Sequence, residues 1–215
     1  MSLAVAVFVL VSAVHLTSQL AAHGGLLAGA TQVMLMPALL AVLVTASKPP
    51  RSPLVRGVMV ALVFSWLGDT VPRFLSGQAS FLAMVACFLC AQIAYVIALR
   101  PTWRCSVLAR PLLVLPYVGV WLLVVGMCAP RSGILLGPIA VYGTALALMA
   151  VLATGLGRIG GIGGAIFLVS DSLIALHTFA GITLPAHDFW VMLTYLVGQA
   201  LIVGAVCRAD GDTHG

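Results

Sequence analysis

The chain has 215 residues, of which 62% are hydrophobic and only 7% charged, with a mean hydropathy of +1.20. Soluble domains carry about 25% charged residues, so 10 Lys+Arg and 5 Asp+Glu cannot clothe a water-facing surface. The composition therefore excludes an ordinary soluble fold, and the net charge of +5, scattered through loops, reads as membrane orientation rather than as a nucleic-acid surface.

At roughly 20 residues per crossing, the length admits about eight helices. The expected fold is an all-α polytopic membrane protein with a single transmembrane domain over 1–215 and no room for a soluble one. A β-barrel needs short segments of alternating polarity. The long continuous apolar runs do not have that pattern.

Leu3–Ala22 reads as the first crossing. It contains His15 and Gln19 and lacks a positive leader, so a retained helix is expected rather than a cleaved signal. His23-Gly24-Gly25 then turns the chain. The second crossing, Leu26–Thr45, carries Gln32 and Pro37. A proline inside a helix frees one carbonyl, which a neighbouring group must satisfy in lipid.

The third crossing, Leu54–Val71, ends on Asp69, and the fourth, Ala79–Leu99, contains Gln92 and Tyr95. Cys87 and Cys90 have CxxC spacing there, but no histidine or acid lies close in sequence, so they read as structural. The fifth crossing is Pro111–Cys128, followed by a turn over Ala129–Gly133. The sixth is Ile134–Thr154 with Tyr142, and the seventh is Gly160–Ala180 with Ser170 and Asp171. The glycine run at 160–164 has no preceding strand, so it reads as a site of close helix packing rather than a nucleotide loop. Phe189–Cys207, with Tyr195 and Gln199, is the eighth crossing.

Lys48, Arg51, Arg56, Arg100, Arg104, Arg110 and Arg158 fall after crossings two, four and six, whereas Arg73 and Arg131 alone follow three and five. The positive-inside rule then puts both termini in the cytoplasm and both aspartates in the outer half of the membrane. Asp69 and Asp171 each lie thirteen residues after an arginine, Arg56 and Arg158 respectively. At about 1.5 Å per residue they are expected to share one depth and one site. Gln92 and Gln199 follow the two aspartates in turn, which fits a 4+4 parallel duplication.

A carboxylate inside a crossing costs about 2.5–3.5 kcal/mol on insertion scales and marks function. No lysine or arginine lies deep within a crossing to neutralise Asp69 or Asp171, Arg56 standing only at the start of the third. Two carboxylates brought together share a proton and supply an acid and a base at once. Gln32, Gln92, Tyr95, Tyr142, Ser170, Tyr195 and Gln199 are the candidates to line the polar cavity around them. His15, His23, His177 and His187 are scattered, and neither a metal nor a cofactor is implied. Such a site suits hydrolysis, with proton relay in a transporter and non-catalytic lipid binding as the competing readings.

Several motifs together carry a resemblance. They are Met36-Pro37, Leu67-Gly68-Asp69 with Phe74 and Gly77, Phe81 with Tyr95, Tyr142, the stretch from Gly164 to Asp171, and Tyr195 with Gln199 and Ile202. On these residues the chain resembles the YhhN family of lysoplasmalogenase-like membrane proteins over nearly its full length. The resemblance implies a hydrolase of a bacterial plasma membrane, with Asp69 and Asp171 catalytic and a membrane lysophospholipid as its partner. Its reaction would cleave the vinyl ether bond of lysoplasmalogens to a fatty aldehyde and a glycerophospho-headgroup. Where the family often reads Thr-Lys-Pro this chain has Thr31-Gln32-Val33, and Gln92 stands where histidine is common.

Overall fold

The computed structural model describes residues 2–22 and 25–214, and every regular element among them is helical. The helices are α1 (Leu3–Ala22), α2 (Leu26–Ala46), α3 (Pro53–Thr70), α4 (Gly77–Leu99), α5 (Pro111–Ser132), α6 (Leu136–Ala153), α7 (Gly157–Ala175) and α8 (His187–His214). His23 and Gly24 of the expected first turn lie outside the described residues. By length and composition, six stretches among the described residues can cross a membrane, one of which, Pro111–Ala180, takes in α5, α6 and α7 together. These are the apolar helices of an integral membrane protein.

Four boundaries differ clearly from expectation, three of them for a backbone reason, while α8 runs on to His214, past the expected end at Cys207. The fifth helix continues through Ala129–Ser132 and stops only where Gly133 takes φ 51°, a conformation glycine enters without steric cost. The seventh helix starts early, at Gly157 with φ 84°, so the glycine run lies inside it. Its last turn, Leu176–Ala180, widens into a π-helix ended by Gly181 in the left-handed region. The basic loop before α5 is wound into two 3-10 turns, Arg100–Cys105 and Val107–Ala109.

The chain divides into two compact units. One runs up to Ala98 and is rejoined from Val206 onward, and the other is Leu99–Ala205.

In the first unit α1 packs on α2 and α2 on α3. Ser52 caps α3 by accepting from the Val55 N–H, with Pro53 preset for the first turn. Arg51 closes the end of α2, donating to Ser47 Oγ at 3.1 Å and to the Val44 carbonyl at 3.3 Å. Pro37 supplies no N–H to the carbonyl four residues back, that of Val33. The Trp66 indole fills this gap, its Nε1 donating to Val33 O at 3.0 Å. A single bond thus answers the proline defect and pins α3 to α2 one turn from Asp69. Trp66→Phe strands that carbonyl among apolar groups, and the expected loss is about 1–3 kcal/mol, read as a lower unfolding midpoint in detergent.

Glycines bring α3 and α4 together. A Cβ on Gly57 would stand 3.3 Å from Ala98 Cα, and one on Gly68 would press within 2.7 Å of the Phe88 ring. The two contacts set an antiparallel register in which Gln92 faces the level of Phe64 and Ser65.

In the second unit α5, α6 and α7 pack in sequence, and α7 meets α8 backbone to backbone. A Cβ on Gly163 would lie 3.0 Å from Gly198 O, and one on Gly198 only 2.8 Å from the Phe167 nitrogen. Gly164 is equally close to Ala150 of α6, at 2.9 Å from its Cα. The glycine run provides the close packing expected of small residues between apolar helices.

Candidate functional site

Each unit holds one aspartate in a set of polar side chains. In the first, Asp69 stands near the end of α3, 7% exposed. Gln32 of α2 donates its Nε2 to Asp69 Oδ1 at 3.2 Å. The same amide accepts through Oε1 from Arg73, whose Nε also donates to the Asp69 carbonyl at 3.2 Å. Carboxylate, amide and guanidinium therefore form a closed circuit, with the neutral amide bridging two opposite charges. Arg73, one turn further along, folds back over Asp69, bonding to its backbone carbonyl and reaching its carboxyl group only through the Gln32 amide.

The circuit has a neighbour on α1 and α2. His15 is fully buried, its Nδ1 2.9 Å from Thr31 Oγ1 and its Nε2 3.4 Å from Gln19 Nε2. Thr31 precedes Gln32, so both polar pairs are carried by the same turn of α2. Arg73 lies within electrostatic range of His15. None of His15, Gln19, Thr31 and Arg73 is among the sequence-derived candidates.

Gln92 and Tyr95 of α4 are both fully buried. Neither amide atom of Gln92 has a hydrogen-bond partner among the described residues. A buried amide with both ends unsatisfied offers a donor and an acceptor to water or substrate. The α3–α4 register puts it five residues from the level of Asp69, or about 7 Å along the helix.

In the second unit Asp171 of α7, 8% exposed, accepts a short hydrogen bond from the half-buried Tyr142 hydroxyl of α6. Ser170 beside it is buried and donates to the Val191 carbonyl at 3.0 Å, which ties α7 to α8 at the level of the aspartate. Phe167 and Tyr195 meet edge to face with ring centroids 5.5 Å apart. Gln199 is fully buried, and the Gly163–Gly198 contact puts it about 10 Å from the level of Asp171. The structure thus joins Gln32 to Asp69 and Tyr142 to Asp171. Ser170 serves the helix contact, and Tyr195 stacks on Phe167.

Beyond the carboxylate, the π-turn is held by Arg131, which donates to the Ala180 carbonyl at 2.7 Å. His177 and His187, scattered in sequence, stack with centroids 4.5 Å apart. The Nδ1 of His177 is 2.8 Å from Thr183 Oγ1.

Residues 27–206 match the sequence model of the YhhN family, which takes in both aspartates and every polar partner named above except His15 and Gln19. The chain belongs to the YhhN family. No curated protein and no solved structure matches it significantly. Within this YhhN chain the two aspartate clusters each set a buried carboxyl group among polar side chains of apolar helices, and they supply the candidate site residues.

Proposed function

We propose that this protein is an intramembrane hydrolase of the lysoplasmalogenase type, cleaving the vinyl ether bond of lysoplasmalogens. The observation that carries the reading is the hydrogen bond from the half-buried Tyr142 hydroxyl to the buried Asp171, in a chain of the YhhN family. Vinyl ethers hydrolyse by protonation of the alkenyl carbon remote from oxygen. Positive charge then develops on the carbon that bears the oxygen, water adds there, and the hemiacetal collapses to aldehyde and alcohol.

Asp171 is the proton donor in this proposal. Once the proton has left, the Tyr142 hydroxyl steadies the new carboxylate, and such preorganised donors are worth most away from water. Asp69, oriented by the Gln32 amide, is the buried carboxyl group of the first unit, and its replacement tests whether it too takes part in turnover. The Gln92 amide and Tyr95 supply polar groups in the first unit, Tyr195 and Gln199 in the second, and the lipid tail enters laterally between apolar helices. The orientation inferred from loop charge, with cytoplasmic termini, belongs to the same proposal.

Tyr142→Phe keeps the ring and removes the donor. A hydrogen bond to a charged group is worth about 1.5–3 kcal/mol, so turnover is expected to fall roughly 10- to 100-fold, measured as aldehyde release from 1-alkenyl-lysophosphoethanolamine by purified protein. Unchanged turnover in this variant removes Tyr142 from the mechanism.

A further inference from the structure

We propose that Arg73 is the anchoring point for the phosphate of a lysophospholipid, and this rests on the hydrolase reading above. The residue could be an ordinary interfacial arginine, extended toward water to fix a helix end. Its geometry is different. Among the described residues two of its nitrogens are engaged, Nε on the Asp69 carbonyl and Nη2 on Gln32 Oε1. Both acceptors are neutral, so the cation keeps its charge, while the two bonds fix the plane of the guanidinium.

The remaining nitrogen, Nη1, has no hydrogen-bond partner among the described residues. It lies over Gly29 of α2, where a Cβ would stand only 2.8 Å away. The absence of a side chain at 29 makes the seat in which the guanidinium rests. Arg73 is solvent-exposed and follows α3 within the turn Val71–Phe74, at the end of an apolar stretch long enough to cross a membrane. A phosphate joined to a single lipid tail requires this placement, with its charge at the interface and its chain among apolar helices. A planar fork with free N–H groups suits phosphate oxygens better than a lone ammonium would.

The anchor also links binding to chemistry. Because Gln32 touches both Arg73 and Asp69, a phosphate drawn to the guanidinium orients its lipid at the carboxylate already fixed by the same amide. Headgroup recognition and the Asp69 carboxyl group are parts of one hydrogen-bonded unit.

The test measures binding of a saturated, uncleavable 1-alkyl-lysophosphoethanolamine to purified full-length protein, beside 1-alkylglycerol, which has the same tail and no phosphate. Arg73→Ala is expected to weaken the phospholipid at least tenfold and to leave the alkylglycerol within about twofold. Arg73→Lys, which keeps charge without the fork, should fall between wild type and Arg73→Ala. Gly29→Val, which fills the seat with no change of charge, is expected to weaken the phospholipid alone. Should Arg73→Ala fail to fold, the last two variants carry the test.

Equal loss of both ligands, or no loss of either, overturns the proposal. Displacement of the lipid by inorganic phosphate at comparable affinity overturns the lipid assignment in favour of a free anion. Because the probe cannot be cleaved, the two proposals fail separately. Arg73-dependent binding without turnover of alkenyl lipid sinks the hydrolase reading, and turnover with Arg73-independent binding sinks the anchor.

Discussion

Asp171→Asn is expected to lower vinyl ether turnover by about 10²- to 10⁴-fold, the usual range for losing a general acid, while the protein remains folded. Asparagine is nearly isosteric, and its carbonyl oxygen still accepts from the Tyr142 hydroxyl that Asp171 now engages. What it lacks is a transferable proton. The substitution therefore separates chemistry from architecture, with kcat falling and the binding of an uncleavable ether analogue holding. Asp69→Asn is expected to share the loss of turnover, but with weaker lipid binding as well. The substituted amide presents either an oxygen or an NH2 to the Gln32 Nε2 that now donates to the carboxylate, and the missing charge disturbs the circuit through Gln32 to Arg73. Wild-type turnover in both variants would remove the carboxylates from the reaction.

Gly198→Val is expected to be the most damaging change away from the polar clusters. A Cβ at 198 meets the Phe167 nitrogen at 2.8 Å and the Gly163 oxygen at 3.0 Å, which are backbone atoms that cannot rotate aside. Relief requires α7 and α8 to separate, and overpacking of this kind costs about 3 kcal/mol or more. For a chain of this size the unfolding midpoint should drop by about 6–12 °C. Ser170 and its bond to Val191 O bridge the same two helices, so Asp171 should lose its placement and activity should fall with stability. Gly119→Ala is the matched control, since a Cβ there meets nothing within 4 Å; its midpoint should hold or rise slightly.

The helices are legible in the sequence because each is an uninterrupted apolar run bounded by proline, glycine or arginine, and lipid allows such a run no alternative to helix. Their ends are less so. Pro130 reads as a breaker, yet it lies in the last turn of α5, and the chain reverses only at Gly133, where positive φ is available. Pro37 announces that a carbonyl needs a partner. That Trp66 supplies it depends on how α2 and α3 pack, and the two residues that bond are 33 apart in the chain.

The same limit governs the polar residues. Asp69 and Asp171 stand out singly, because a carboxylate in an apolar run is conspicuous by itself. The partner Tyr142 lies 29 residues from its aspartate and Gln32 lies 37 from its own, separations that no local spacing rule covers. Arg73 is within reach of sequence reasoning. It sits four residues after Asp69, the spacing at which side chains on one helix face meet, but beyond the expected end of the third crossing it counts only as loop charge. The 3-10 turn Val71–Phe74 prolongs the winding of α3 and brings Arg73 back.

The central claim, proton transfer to an alkenyl carbon followed by hydrolysis, is tested most directly in heavy water. Purified protein is incubated in D2O with 1-alkenyl-lysophosphoethanolamine, and the released aldehyde is read by mass spectrometry against a no-enzyme control. The account predicts glycerophosphoethanolamine together with an aldehyde carrying one deuterium on the carbon next to its carbonyl. No aldehyde above control from folded protein, or an aldehyde without that deuterium, would contradict it.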